Sequence, residues 1–258
     1  MKTKKLLSPS QLEELKQFDA PTICNGIEFF SIRPKTEGFL KPGIHKIFPT
    51  KVRTIGYACT AKISALHPAP ESKKHLQEAY YRSVWETPKP TITVIQDIDP
   101  QPIGSFWGEV QATIHRYLGC SAVVTSGGVR DLDEVQRIGL EYFASCVLVS
   151  HAYVHVEEVG GPVEVGGLTV YPGDLIFADM HGIVVIPDAV APYLAEACRA
   201  AQEAEQPVLQ NCKPAFQGFL SEEDKSRIDR LLGWRKEMAE KRAEATRKFS
   251  ALVGKKTQ

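Results

Sequence analysis

Residues 123–134 read Val-Val-Thr-Ser-Gly-Gly-Val-Arg-Asp-Leu-Asp-Glu. The apolar start is typical of a buried strand, Gly127-Gly128 predicts a tight turn, and a helix is predicted to begin at about Asp131. A strand–turn–helix unit of this kind delivers Arg130 and Asp131 side by side at a helix start, where open α/β sheets bind ligands. Taken alone, the segment is better explained by a surface turn that is capped by Asp131 or Asp133 and leaves Arg130 solvated. A second segment is therefore needed to decide between a ligand site and a solvated surface turn.

Helical and strand-like patterns alternate on both sides of this unit, which is typical of an α/β fold with crossover helices. Apolar residues at every second position of Lys51–Leu66 predict a strand with one buried face. The glycine-rich sequence of residues 159–187 predicts a compact set of short strands. Helices are predicted after Ser8-Pro9 and over Thr22–Ile27, residues 73–86, Trp107–Tyr117 and Asp131–Ile138, and further strands over Thr91–Asp97, Ser121–Thr125 and Tyr142–Val149.

The predicted domain organisation is one α/β domain over residues 1–219 followed by a C-terminal helical extension over residues 220–258. Pro187-Asp188 opens a predicted helix that is rich in alanine and glutamate. After Phe219 the composition shifts to mixed charge, with an incomplete apolar stripe at helical spacing. A charged helix that lies on its own subunit or on a neighbour explains this tail without a ligand role.

Composition excludes several classes of partner. Lysine plus arginine and aspartate plus glutamate balance at 31 each, so no long-range field attracts nucleic acid or an anionic membrane surface. No apolar stretch approaches the roughly 20 residues that cross a bilayer, and Pro9 interrupts the only signal-like start. We therefore expect no nucleic-acid partner, no membrane partner and a cytoplasmic location. The six scattered cysteines fit reduced, mostly buried thiols.

Several familiar catalytic patterns are missing from the chain. Neither a phosphate-binding Gly-x4-Gly-Lys-Ser/Thr loop nor a Gly-x-Gly-x-x-Gly turn after a strand is found, which argues against nucleotide hydrolysis and dinucleotide redox chemistry. Val124 stands where a Gly-x-Ser-x-Gly elbow around Ser126 needs glycine. His151 and His155 have a helical metal-ligand spacing, but the valines around them predict a strand, on which they would lie roughly 13 Å apart, too far for one ion.

The second segment is residues 106–110, Phe-Trp-Gly-Glu-Val. Gly108 stands at another predicted helix start, where backbone amides without helical partners can hold a carboxylate. A second helix start of this kind favours a ligand site at the Arg130-Asp131 pair over a solvated surface turn.

Together the two segments resemble a known family. Its marks are a Trp-Gly-Glu helix start and a Gly-x-Arg-Asp-x-x-Glu/Asp motif, and here they match Trp107-Gly108-Glu109 and residues 128–134. The family contains class II 4-hydroxy-4-methyl-2-oxoglutarate aldolases, also known as 4-carboxy-4-hydroxy-2-oxoadipate aldolases, and the ribonuclease E activity regulators (RraA-like proteins). The resemblance extends from about Phe18 to Pro187 and covers most of the chain.

Two positions depart from the pattern of the family. Ser126 stands where the family usually has an aspartate before the Gly-x-x-Arg-Asp motif, and Gln111 replaces a common leucine after Gly-Glu. Both departures bear on the identity of the substrate, and neither removes Arg130 or Asp131.

The resemblance implies a fold, an assembly and a chemistry. The fold is α/β, a β/β/α swivelling-domain type with a single core and a C-terminal helical extension. The assembly is a homo-oligomer, a trimer or a hexamer of paired trimers, with active sites at the subunit interfaces. The chemistry is that of a lyase, either a retro-aldol cleavage that releases pyruvate or the decarboxylation of oxaloacetate, on a small 2-oxo acid.

Specific roles follow from the resemblance for the matched residues. Asp131 is expected to bind the metal, Mg²⁺ or Mn²⁺, partly through water, and Arg130 to stabilise the negative charge of an enolate. The carboxylate of the substrate is expected on the backbone amides of Gly108, Glu109, Val110 and Gln111. Catalysis also needs a base, and a water oriented by acidic groups such as Glu203 of a neighbouring copy is the candidate.

Two rival functions remain at this stage. A Schiff-base aldolase is disfavoured because neither matched segment contains a lysine. A non-catalytic regulator that docks on a partner protein such as a ribonuclease is the alternative from another class. Retention of Asp131 together with Glu134 favours the enzyme.

Overall fold

The computed structural model describes residues 6–213 and 226–254 of the chain. The chain divides into two compact units, one made of Thr36–Asp188 and the other of Met1–Lys35 with Ala189–Gln258. The N-terminal helices therefore belong to the same unit as the C-terminal helices, which the sequence did not indicate. The predicted domain boundary at residues 219 and 220 lies outside the described residues and stays a prediction.

Ten strands and seven α-helices make up the described part of the chain. The helices are α1 (Pro9–Leu15), α2 (Ala20–Glu28), α3 (Leu76–Glu86), α4 (Glu109–Tyr117), α5 (Leu132–Ile138), α6 (Leu194–Cys212) and α7 (Arg227–Gly254). The strands are β1 (His45–Lys46), β2 (Thr54–Ser64), β3 (Thr91–Asp97), β4 (Cys120–Val129), β5 (Glu141–Val147), β6 (His155–Val159), β7 (Val163–Val165), β8 (Leu168–Val170), β9 (Leu175–Asp179) and β10 (Gly182–Ile186).

The unit Thr36–Asp188 is built on a nearly closed, barrel-like sheet of eight strands in the order β1-β5-β4-β3-β2-β9-β10, with β6 also paired to β2. The pairs β2–β3, β3–β4 and β4–β5 are parallel. The pairs β1–β5, β2–β6, β2–β9 and β9–β10 are antiparallel. Parallel neighbours need crossover connections, and α3, α4 and α5 are those connections. This mixed architecture confirms the predicted α/β fold class.

The central strands are buried on both faces. Helices α3, α4 and α5 contribute to the core on one face, and the β7–β8 hairpin contributes to the core on the other. The prediction of one buried face for Lys51–Leu66 is therefore wrong, since the first eight residues of β2 are all buried. The residues between the alternating apolar positions form a second buried face, because a sheet that is covered on both sides needs no polar face.

The predicted Gly127-Gly128 turn is also wrong. Both glycines continue β4, which reaches Val129, and the register with β5 shifts between Thr125 and Gly128. A Cβ atom on Gly128 would lie 2.5 Å from Cδ1 of Leu148. The glycine pair therefore allows neighbouring chain segments to approach closely, and the chain turns only at Asp131, whose φ of 55° is left-handed.

Asp97 ends β3 as a buried acidic residue. The residue is 8% exposed, Oδ1 accepts a hydrogen bond from the Asp99 amide at 3.0 Å, and Oδ2 has no hydrogen-bond partner among the described residues. Burial raises the pKa of Asp97 to about 6, against the smaller lowering effect of the Asp99 amide. The folded state therefore holds the Asp97 proton more tightly than the unfolded state does.

We expect Asp97→Asn to stabilise the protein at alkaline pH. Because the folded pKa lies above the unfolded one, the contribution of Asp97 to stability falls as pH rises from about 4 to about 6 and stays low above that. At pH 8 the variant should gain about 2 °C or more in Tm, since about 1 kcal/mol shifts Tm by about 2–4 °C in a domain of this size. At pH 4 the gain should vanish. Calorimetry at both pH values checks this, and an unchanged or lower Tm at pH 8 would contradict it.

The second unit consists of helices. The predicted capping box of Ser8 and Gln11 is present at the start of α1, and Asp19 caps α2 by accepting a hydrogen bond from the Thr22 amide at 2.9 Å. Phe249 of α7 is fully buried and stacks on Phe29 with ring centroids 6.2 Å apart. In the described residues no helix has both the length and the apolar character that a bilayer span requires.

Candidate active site

Backbone hydrogen bonds bring the two motif segments together. The amide of Arg130 donates to the carbonyl of Trp107 at 2.9 Å, and Trp107 forms a parallel bridge with Val129. Oγ of Ser105 lies 2.7 Å from the Trp107 carbonyl oxygen and 2.9 Å from that of Gly128. The start of α4 therefore lies directly beside the end of β4, as the ligand-site interpretation requires.

Asp131 stands at the N-cap position of α5 without capping it. Its side chain makes no hydrogen bond to α5, and Oδ2 accepts instead from the Glu109 amide, at 2.9 Å, in the first turn of α4. The predicted simple N-cap role of Asp131 is therefore wrong. The left-handed backbone at Asp131, a conformation that aspartate tolerates better than most residues, aims the carboxylate at the neighbouring helix. Oδ1 has no hydrogen-bond partner among the described residues.

Gly108 is required by the close approach of the charged pair. A Cβ atom at Gly108 would lie 2.4 Å from Oδ2 of Asp131 and 3.1 Å from Nε of Arg130. Its φ of −146° and ψ of −167° are extended, so space and not backbone conformation demands glycine here. The glycine of the Trp-Gly-Glu segment thus allows Arg130 and Asp131 to pack against the start of α4.

The Arg130 side chain is held in place but has unused donors. It is about one third exposed, and its Nε lies 3.8 Å from Oδ2 of Asp131, which is an ion pair but not a hydrogen bond. Within the described part of the chain, Nε is buried without an acceptor. Leaving a buried donor unsatisfied costs about 1–3 kcal/mol. The Nε edge of Arg130 is therefore buried while the rest of the side chain is partly exposed, and the guanidinium is suited to an oxygen ligand.

These groups line a cleft of about 240 Å³. The predicted site residues Gly108, Val110, Gln111, Arg130 and Asp131 all line it, whereas Glu109 does not. The amide of Glu109 is used by Asp131. The side chain of Val110 is exposed, so the cleft is open to ligands at the first turn of α4. The sequence did not single out the remaining lining residues as parts of this site: Gln77, Ser105, Phe106, His151 and Val154.

Three of these unpredicted residues carry polar side chains: Gln77, His151 and Ser105, whose hydroxyl is used by the carbonyls of Trp107 and Gly128. Gln77 comes from α3, and no sequence pattern connects it with the two motifs, so only the fold could place it in the cleft. For His151 the sequence suggests only a metal site shared with His155, which the predicted strand disfavours. In the structure Nε2 of His155 lies 2.6 Å from Oε1 of Glu157, outside the cleft, so the two histidines serve different sites.

A buried hydrogen-bond network supports the first turn of α4. Nδ1 of His115 donates to the Gln111 carbonyl at 2.6 Å, and Nε2 accepts from the Tyr80 hydroxyl at 2.7 Å. Burial lowers the pKa of His115 to about 4, so the ring is neutral at physiological pH. Tyr81 donates from its hydroxyl to Oε1 of Gln111 at 3.1 Å. Both the backbone and the side chain of Gln111 are therefore held by neighbouring rings.

The residues of the cleft fit a hard divalent cation held mainly by water. Over residues 6–213 and 226–254, no group of three or more histidine, cysteine or acidic side chains forms a cage for an ion. Oδ1 of Asp131 is one available carboxylate oxygen, and Mg²⁺ is commonly bound through one or two carboxylates, several waters and the substrate. Glu203, the candidate that would orient the base, lies exposed on α6, in the unit that does not contain the cleft.

The fold and the cleft define a class of α/β proteins in which an Arg-Asp pair at a strand end faces the start of a neighbouring helix. The chain belongs to the RraA-like family, described as Aldolase/RraA, whose profile matches residues 20–185. An uncharacterised protein of Methanocaldococcus jannaschii, MJ0644, is 24% identical over 213 residues, which cover 79% of this chain and 89% of that protein.

Two solved structures are similar to the chain. An uncharacterised protein from Pseudomonas syringae pv. tomato is 20% identical with a TM-score of 0.65, covering 90% of this chain and 96% of that one. Streptomyces coelicolor RraAS2, described as an unusual member of the RNase ES inhibitor RraA protein family, is 20% identical with a TM-score of 0.62, covering 81% and 98%. At this level of identity the two structures support the fold.

Proposed function

We propose that this chain is a divalent-metal-dependent lyase that acts on a small 2-oxo acid through an enolate. The observation that carries the proposal is the Arg130 guanidinium, which has a buried donor without an acceptor and lies beside the Asp131 carboxylate at an open cleft. A surface arginine would satisfy its donors with water. A preorganised donor in a partly enclosed cleft suits a reaction in which negative charge develops on oxygen.

The start of α4 is the proposed site of the substrate carboxylate. Asp131 occupies the Glu109 amide, so the next two amides, those of Val110 and Gln111, are left to bind the anion. Amides in the first turn of a helix have no helical acceptor, and the helix dipole favours negative charge there. Binding at these amides would place the keto group of the substrate near Arg130.

Asp131 is the residue proposed to hold Mg²⁺ or Mn²⁺, through Oδ1 and bridging water. When bound, the cation supplies Lewis-acid stabilisation of negative charge on the keto oxygen. The hydrogen bond from the Glu109 amide to Oδ2 fixes the orientation of the carboxylate. The fork of Arg130 provides further donors to the same oxygen as the enolate forms.

The proposed bond cleavage balances without a further reactant. The hydroxyl at C4 of the substrate loses its proton to a base, the bond between C3 and C4 breaks, and its electron pair forms the pyruvate enolate. The other fragment leaves as a carbonyl compound, and the enolate takes a proton at C3. We propose that the base is a water oriented by acidic groups, with Glu203 of a neighbouring copy as the candidate. No lysine lines the cleft in the part of the chain that the structure describes, so nothing in it supports a Schiff base.

We also propose that the protein works as a trimer or a hexamer with its sites at subunit interfaces, as the aldolase resemblance implies. A neighbouring copy would then cover the cleft and contribute acidic groups in addition to Asp131, the one acidic residue among the described residues that line the cleft of one copy. Closed rings build such shared sites because each interface repeats around the axis.

Turnover of oxaloacetate with and without metal tests the proposal. Oxaloacetate should be decarboxylated by the protein with added Mn²⁺, and EDTA should abolish the excess over the rate of Mn²⁺ alone. Oxalate, a planar dianion that resembles the pyruvate enolate, should inhibit competitively and bind only when the cation is present. Calorimetric titration with oxalate, with and without EDTA, measures this directly. Absence of turnover together with metal-independent or absent oxalate binding would favour the alternative, a regulator that binds a partner protein such as a ribonuclease.

A further inference from the structure

The lining of the cleft includes polar side-chain groups that the proposed chemistry does not use. Gln77, Gln111 and His151 supply these groups, here called the polar wall, and none of the three comes from the β4–α5 segment that carries Arg130 and Asp131. Among the described residues that line the cleft, Arg130 is the only lysine or arginine. The polar wall therefore offers hydrogen bonds without a fixed positive charge.

Both glutamines present amide donors. Nε2 of Gln77 is buried and has no acceptor in the described part of the chain. The hydroxyl of Tyr81 donates to Oε1 of Gln111 at 3.1 Å, and this contact fixes which end of that amide faces away from Tyr81. Nε2 of Gln111 is thereby left as a donor on the side chain that lines the cleft.

His151 adds an acceptor to these donors. Its Nδ1 lies 2.7 Å from the Ala152 carbonyl oxygen, which can only accept, so Nδ1 carries a proton. In the neutral ring Nε2 is then an acceptor. A hydroxyl group both donates and accepts, and so it can satisfy an amide donor and the imidazole acceptor together. A carboxylate can only accept, so it would leave the imidazole acceptor without a donor.

We infer that the polar wall selects a 2-oxo acid whose distal end carries a neutral hydroxyl group instead of a second carboxylate. Tyr81 acts as a positioning residue that orients the Gln111 amide. The inference rests on the proposed lyase function, because it names the substrate class of the same cleft. In the synthetic direction it means that the pyruvate enolate adds to a hydroxyaldehyde in preference to an aldehyde acid.

The experiment compares two aldehydes of the same carbon skeleton. Pyruvate and Mg²⁺ are supplied with glycolaldehyde, which gives 4,5-dihydroxy-2-oxopentanoate, or with glyoxylate, which gives 4-hydroxy-2-oxoglutarate. We expect kcat/KM for glycolaldehyde to exceed that for glyoxylate by about tenfold or more, since one lost hydrogen bond is worth about that factor. A ratio at or below one in the wild-type protein would overturn the inference.

Variants of the polar wall assign the selectivity to its residues. Gln77→Leu and Gln111→Leu should each lower the glycolaldehyde to glyoxylate ratio by about fivefold to tenfold. Tyr81→Phe should lower the same ratio through KM with little change in kcat, because it only frees the Gln111 amide to rotate. The matched control is Glu78→Gln, an exposed position of α3 outside the cleft, which should leave the ratio unchanged. An unchanged ratio in both glutamine variants would overturn the role of the polar wall.

Exchange of the C3 protons of pyruvate separates this inference from the proposed function. In D₂O with Mg²⁺, an enzyme that forms the enolate exchanges these protons without any aldehyde, and proton NMR measures the rate. Exchange without a preference for glycolaldehyde would overturn the substrate inference and leave the lyase standing. Absence of exchange in the wild-type protein would overturn the lyase and the inference with it.

Discussion

Asp131→Asn is expected to abolish metal-dependent turnover while the fold is retained. Asparagine keeps an oxygen that can accept the hydrogen bond now made by the Glu109 amide at 2.9 Å, and it tolerates the left-handed backbone at this position. It removes the negative charge that would hold a divalent cation. Oxaloacetate decarboxylation should fall to the rate of free Mn²⁺, and calorimetry should no longer detect oxalate binding in the presence of the cation.

The matched control for this variant is Asp133→Asn. Asp133 is exposed in the first turn of α5, two residues further along, and does not line the cleft. It should keep normal turnover, so that a general effect of removing negative charge near α5 is distinguished from the loss of the Asp131 ligand. An Asp131→Asn protein that turns over normally and resists EDTA would rule out the metal assignment.

Arg130→Lys is expected to lower kcat by about 10² to 10³, the usual effect of losing a preorganised donor to a developing oxyanion. Lysine keeps the positive charge but replaces a planar fork of donors with a single ammonium group. It also cannot reproduce the position of Nε, which is buried beside Asp131 and Gly108. The variant should still bind oxalate with the cation, although more weakly, because the carboxylate amides of α4 are unchanged.

Arg137→Lys is the corresponding control. Arg137 is an exposed residue of α5 whose side chain contacts Glu134, and the substitution should leave turnover within about twofold, as expected of an exposed ion pair. Steady-state kinetics of both variants, with unfolding temperatures to confirm that each is folded, provide the comparison. Near-normal kcat in Arg130→Lys would show that the guanidinium is not required and would return Arg130 to a structural role.

The elements and the centre of the candidate site could be predicted from local patterns. The capping box at Ser8, the strand Thr91–Asp97 and the alternation of helix and strand each depend on residues close together in the chain. The Arg130-Asp131 pair and the glycine at the start of α4 were recognisable for the same reason, since each motif is a contiguous segment whose own chemistry points to anions and hard cations.

The predictions from sequence were wrong where residues distant in the chain determine the structure of a local segment. Gly127-Gly128 suggests a turn in the sequence, but Leu148 and Asp97 lie against these glycines, so the pair continues a strand. Alternation in Lys51–Leu66 suggests a half-exposed strand, but layers formed by other segments cover both faces of the sheet. A local sequence pattern is compatible with more than one structure, and tertiary packing selects the structure that forms.

The sequence by itself determined the α/β class, the family and the candidate pair Arg130-Asp131, because these depend on periodicity and on contiguous motifs. Only the tertiary structure decided that Asp131 contacts α4 instead of capping α5, that Gly108 is required by the space which the pair occupies, and that Gln77 and His151 share its cleft. These contacts and the shared cleft bring together residues that are between 20 and 75 positions apart in the chain. Contacts over such separations are set by how the crossover helices pack on the sheet, which no local pattern encodes.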